Sequence, residues 1–189
     1  MIAIRLPRIE GRRAVPDMPE RSTPTVAGDI LLHPVVMASI AVFIANDHVL
    51  KGAAPGWLTG KLSDVAGLVF FPLLVVAGWE LLRSALGRRV DPGARSLIVA
   101  VVVTALAFAS IKTTEIGASA FATGLGIGQW LVGSAWSIVA AVPAPPIQPV
   151  QIVRDVTDLV ALLALVGAAA IGLARVRRAD QVRTGPVNP

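Results

Sequence analysis

Three short runs of the chain hold residue types that can do chemistry: Asp47, His48, Lys51, Lys61 and Asp64 in the first, Lys112 and Glu115 in the second, Arg154, Asp155 and Asp158 in the third. Asp64, His48, Glu115 and Asp155 can take up or release a proton and are the candidate catalytic residues for acid–base work. Lys51, Lys61, Lys112 and Arg154 offer positive charge to a phosphate and are the candidate substrate-binding residues. Asp47 and Asp158, together with His48, Asp64 and Asp155, supply oxygen and nitrogen donors suited to a divalent cation. No run has a fixed metal-ligand spacing such as HExxH, and no cofactor is implied. A structural reading competes with all three. Asp47 with Lys51 and Arg154 with Asp158 are four apart, and Lys61 with Asp64 and Lys112 with Glu115 three apart, so each couple can close an ion pair along one helix face.

The elements that must position these runs are apolar. The chain has 189 residues, 54% of them hydrophobic, and a mean hydropathy of +0.72, which is too apolar for an ordinary soluble domain. Stretches 30–45, 65–82, 96–111 and 159–174 are nearly free of charge and read as membrane-spanning helices, with a kink expected at Pro72 in the second. Glu80 is expected to pair with Arg83 one turn on, and Asp29 with His33 to share a face at the start of the first helix. Gly52, Pro55, Gly56 and Gly60 predict a tight loop between the first two spans. Residues 116–153 carry no charge but many glycines and prolines. They predict a re-entrant or interfacial pair of short helices carrying Trp130 and Trp136, with a GxxxG pair at Gly124 and Gly128. The run of alternate glycines at 124–128 follows no strand, so it does not read as a nucleotide loop.

Charge sets the topology. Fourteen Arg and three Lys oppose twelve acids, giving a net charge of +5, and the Arg residues gather in the N-terminal arm, between 83 and 95, and after 174. Such basic flanks around apolar runs belong on the cytoplasmic side of a membrane. Nucleic acid is not implied as a partner, because no basic amphipathic face or aromatic stacking pattern accompanies the charge. Membrane lipids are the expected partners. With no Cys, disulfides, thiolate metal sites and a Cys nucleophile are excluded. Four full spans plus the irregular segment place both termini in the cytoplasm and all three chemical runs outside. A five-span alternative, in which residues 116–141 cross, would send the C-terminal arginines outward. The expected organisation is a disordered basic arm at 1–28, a single all-α polytopic membrane bundle at 29–175 and a disordered tail at 176–189.

TGKLSDVAGL from position 59, RDVTDLVAL from 154 and NDHVLK from 46 together resemble an uncharacterised family of bacterial multi-pass membrane proteins. More remotely, the chain is similar to the VanZ-like family associated with glycopeptide resistance. In that family an Asp-Lys-x-x-His pattern opens a helix, and a later Glu precedes an Arg and Asp that begin the last one. Lys61, Glu115, Arg154 and Asp155 match. Gly60, Asp64, Ala118 and Leu159 stand where that family has an acid, His, Gln and Asn. The resemblance implies a bacterial inner-membrane protein. The functional expectation is an outward-facing polar site that binds or acts on an envelope lipid or lipid-linked molecule. The alternative is a non-enzymatic assembly component or a small permease. Transport through a buried proton relay is disfavoured by the absence of ionisable residues at mid-span.

Overall fold

The computed structural model describes residues 26–54, 56–90, 92–147 and 150–184. The disorder expected of residues 1–25 and 185–189 concerns positions outside that set. Among the described residues the fold is all-α. A 3-10 turn at Asp29–Leu32 leads into α1 at Pro34–Ala45, a π-helical turn at Asn46–Leu50 and a last turn, α2, at Lys51–Ala53. Then come α3 at Trp57–Ala85, α4 at Ala94–Thr113 and α5 at Glu115–Ala140. A 3-10 segment at Val156–Leu163 runs directly into α6 at Ala164–Thr184. Four stretches are long and apolar enough to cross a membrane: Pro34–Ala53, Trp57–Ala85, Ala94–Thr113 and Val156–Val182.

The spans exist where the apolar runs predict them, but their ends lie further out. Asn46 to Ala53, expected as loop, continues the first helix through the π turn. Lys61 and Asp64, expected before the second helix, lie inside the first two turns of its 29 residues. Pro72 sits buried within α3 without ending it. α6 remains helical to Thr184, so residues 176–184 are helix where a disordered tail was expected. Arg, Ala and Gln are good helix formers, and cations in the last turns oppose the negative end of the helix dipole.

The spans alternate in direction, and α3 is the central one, touching α1, α4 and α6. Its buried stripe of Leu73, Val76 and Ala77 packs with Ile30, Val36, Leu97, Ala100 and Ala168 into one core. A smaller core of Leu68, Ala161 and Leu165 lies nearer the other end of the bundle. Phe43 and Phe70 meet edge to face at 5.4 Å between α1 and α3. Many other large apolar side chains, Val35, Leu74, Val103 and Leu106 among them, are exposed on the faces of the four long apolar stretches.

α5 is one uninterrupted helix rather than a pair of short ones, and it packs on α4. The two join at a sharp corner on Thr114, whose hydroxyl accepts the Gly117 N–H at 3.0 Å and caps α5. Beyond Ala141, which takes a left-handed conformation, the chain turns back along α5. Pro145 comes to lie against Gly133, and the Val150 N–H reaches the Ala122 carbonyl at 3.3 Å. The chain thus runs back alongside α5, with Pro145 opposite Gly133 and Val150 opposite Ala122. It delivers Asp158 to the end of the bundle where α4 finishes. A five-span arrangement would put Lys112 and Asp158 at opposite ends, yet their charged groups are 2.7 Å apart. That contact removes the five-span alternative.

Candidate functional site

At this end α3 contributes Lys61 and Asp64, one turn apart near its start, and α4 contributes Lys112 in its last turn. The 3-10 segment contributes Thr157 and Asp158 in its first turn. Lys61 Nζ donates to Asp158 Oδ1 at 2.6 Å and to Thr157 Oγ1 at 2.9 Å. Lys112 Nζ donates to Asp158 Oδ2 and to Asp64 Oδ2, both at 2.7 Å. Asp158 therefore spends one carboxylate oxygen on each lysine. The four side chains are between 11 and 18% exposed, and two positive charges meet two negative ones. Each ammonium also lies near an aromatic ring, Lys61 5.0 Å from the centre of Trp57 and Lys112 5.4 Å from that of Phe108.

A second set of polar groups adjoins the first on the α1 side of α3. Asn46, fully buried at the π turn, donates to the Thr59 carbonyl and to Ser63 Oγ, each at 2.7 Å. Ser63 Oγ in turn donates to Asp47 at 2.6 Å, and Lys51 pairs with the same carboxylate at 2.6 Å. Ser63 lies two residues from Lys61 and one from Asp64, so the two sets share the first turns of α3. Irregular backbone converges here as well: the π turn on one side and eight residues of 3-10 helix on the other. Such departures from α geometry are uncommon and gather at functional sites.

Of the expected local pairs, Asp47 with Lys51 forms. Lys61 with Asp64, Lys112 with Glu115 and Arg154 with Asp158 do not, because partners from other helices take Lys61, Asp64, Lys112 and Asp158. Glu115 is exposed at the start of α5, where its charge suits the helix N-terminus, and His48 is exposed on the π turn. Arg154 is exposed just before the 3-10 segment. Asp155 accepts the Thr157 N–H at 2.8 Å and caps that segment. This hydrogen bonding at Thr157 holds its carboxyl below the usual carboxylate range. The structure thus joins Lys61, Asp64, Lys112 and Asp158 directly, keeps Asp47 and Lys51 beside them, and leaves His48, Glu115, Arg154 and Asp155 at the rim. Among the described residues no three His, Asp or Glu side chains come together as metal ligands. Asp47 is engaged by Lys51 and Ser63, and Asp158 by two lysines.

Thr157, Ser63, Asn46 and Trp57 are members that the sequence reading passed over. Trp57 stands four residues before Lys61 and Asn46 ends an apolar run, so both had a local signal. Thr157 had none.

The opposite end carries a separate buried network. Arg175 on α6 grips Glu80 on α3 with two hydrogen bonds of 2.6 and 2.9 Å, and also pairs with Asp29. The Gly28 N–H adds a contact to Glu80 at 3.1 Å, from a backbone at φ 78° that glycine adopts without strain. Glu80, only 3% exposed, thus closes on α6 rather than on Arg83, and Asp29 pairs with Arg175 rather than meeting His33. His33 instead caps α1, its Nδ1 accepting the Val35 N–H. Lys61 and Glu80 are 19 residues apart on one helix, about 28 Å, close to the thickness of a bilayer's hydrocarbon core. Comparison of the chain with protein-family models, with curated proteins and with solved structures returns no match.

Proposed function

We propose that this chain is a bacterial inner-membrane protein that crosses the bilayer four times with both termini in the cytoplasm. In this reading, its extracytoplasmic end receives the polar head of an envelope lipid or lipid-linked molecule. The orientation follows from the two ends of the bundle. One end gathers Arg83, Arg88, Arg89, Arg95, Arg175, Arg177 and Arg178, and the other holds all three lysines, each matched by an aspartate. The arginine-rich end is the cytoplasmic one by the positive-inside rule. α5 and the non-helical chain that returns along it then lie in or beside the outer interface. A return through hydrocarbon would leave the N–H and C=O groups of a non-helical chain without partners.

One observation carries the headgroup reading: Lys61, Asp64, Lys112 and Asp158 converge from three spans at one end of the bundle. A single interfacial anchor needs one charge on one helix. This cluster instead places two ammonium groups and two carboxylates within one side chain's length, where a phosphate, hydroxyl or amine of a lipid head can exchange with them.

A second reading is favoured by the charge balance of the network. Two lysines and two aspartates that satisfy each other suit a clamp tying α3, α4 and α6 together in an assembly component. The quadruple variant Lys61→Met, Asp64→Leu, Lys112→Met, Asp158→Leu separates the two, because a buried ionic network often gives way to apolar residues of similar size with little loss of stability. Native mass spectrometry of the purified chain measures the phosphatidylglycerol it retains. The headgroup reading expects lost lipid at an unchanged thermal midpoint. Retention at the wild-type level would return the cluster to a clamp.

A further inference from the structure

Asp158 holds the place that an anionic headgroup would take. Its two oxygens lie 2.6 and 2.7 Å from the ammonium groups of Lys61 and Lys112, so one planar anion bridges two lysines that come from different helices. Two oxygens of a phosphate can make the same bridge. The four-residue network is neutral, one positive charge each from Lys61 and Lys112 against one negative each from Asp64 and Asp158. While Asp158 is seated, neither lysine has charge to spare for a ligand. Once it leaves, the remaining three carry a net charge of +1.

The mounting of Asp158 permits that departure. It sits in the first turn of the 3-10 segment, six residues before α6 begins at Ala164. A 3-10 helix rises about 2.0 Å and turns about 120° per residue, whereas an α-helix rises about 1.5 Å and turns about 100°. Rewinding those six residues into the α form would draw Asp158 about 3 Å along the axis and swing it about 120° around it. The first of these motions alone exceeds a hydrogen-bond length. Eight residues is a long run for 3-10 geometry, whose hydrogen bonds are poorer than those of an α-helix, so the α form is a near alternative. Upstream, residues 150–155 are not helical, so such a movement breaks no helix there.

We propose that Asp158 is a displaceable internal carboxylate. It occupies the Lys61–Lys112 bridge in the empty protein and yields it to the phosphate of a ligand as the Val156–Leu163 segment rewinds. The proposal rests on the headgroup reading above and adds to it the ligand chemistry, a phosphate with two free oxygens, and the contact that must open. Asp64, held by Lys112, stays to orient that lysine.

The test titrates the full chain in detergent, by calorimetry, with short-chain phosphatidylglycerol and separately with inorganic phosphate. Asp158→Asn keeps the shape but removes the charge, and it is expected to tighten binding of at least one probe about tenfold. Whichever probe gains identifies the source of the phosphate. Asp64→Asn makes the same change in net charge and is expected to gain much less. Adding Lys61→Gln or Lys112→Gln to Asp158→Asn should cancel the gain. Asp158→Glu, which sets the carboxylate one methylene out of register, is expected to show a smaller gain and serves if Asp158→Asn does not fold. Wild-type-like binding by every folded position-158 variant, with loss on Lys61→Gln or Lys112→Gln, would overturn the displacement and leave the headgroup reading standing. Binding that no variant alters would overturn both.

Discussion

Asp158 is the residue on which most depends, and that makes its removal the most informative single change. Alanine there takes the carboxylate from Lys61 and one of two from Lys112, whereas after Asp64→Ala both lysines keep Asp158. Removing one partner of a fully buried pair costs about 3–5 kcal/mol. These side chains keep some contact with solvent, so a loss of about 1–3 kcal/mol is expected for Asp158→Ala and less for Asp64→Ala, read from thermal unfolding in detergent. Asp155 plays a smaller part. Its folded-state carboxyl lies below the usual range, so its stabilising contribution is present above the unfolded pKa of about 3.9 and is lost as pH falls through the folded value. Asp155→Ala should therefore lower the thermal midpoint at pH 7, and the gap to wild type should close in acid. At this scale the sequence was legible where partners are neighbours. Asp47 and Lys51 are one turn apart and do pair. Lys61 and Asp158 are 97 positions apart, and no spacing rule in a single chain links them; only the alternation of the spans does.

At the level of elements, every span was visible as an apolar run, and each ended later than its run. Hydropathy stops at the first charge, but a helix does not, because a charge at the interface can find a partner on the next helix. That is why Lys61 and Asp64 read as loop residues and proved to be the opening turns of α3. The Glu80–Arg175 network shows the same principle at the other end. Glu80→Ala is expected to cost about 3–5 kcal/mol because it leaves Arg175 without its bidentate partner, and Glu80→Leu with Arg175→Leu should recover most of that. The α4–α5 corner is held by sterics instead. A side chain at Gly117 would come within 2.5 Å of the Ser110 carbonyl oxygen, which its own backbone cannot yield. Gly117→Val should cost about 1–3 kcal/mol in thermal unfolding, and it should do so without changing lipid retention if α5 is a passenger rather than part of the site. The glycine-rich 116–140 stretch looked too broken for one helix. Gly124 and Gly128 lie open and Gly117 is needed at the corner, so these glycines do not interrupt it.

For the whole molecule, the alternation of spans and the contact between Lys112 and Asp158 put residue 90 and the end of α6 on one side of the bundle, and residue 56 on the other. Reporter fusions at 90 and at the C-terminus should both report cytoplasm, and one at 56 the outside; split reports from the first two would break the four-span arrangement. The basic flanks had already suggested this, whereas the return of the chain along α5 had no signature beyond its prolines. The separation of the two charge networks has one more consequence. Lys61 to Glu80 on α3 spans about 28 Å, and Asp158 to Arg175 spans about the same only because part of that distance is covered at the longer 3-10 rise. The two polar layers therefore act as a caliper with a preferred opening. In vesicles of graded acyl-chain length, thermal stability should peak where the hydrocarbon matches about 28 Å and fall by fractions of a kcal/mol for each ångström of mismatch. If Asp158 leaves its lysines by rewinding as proposed, thinner bilayers should favour the shorter form of the last span, and membrane thickness would then set how often the Lys61–Lys112 bridge is free.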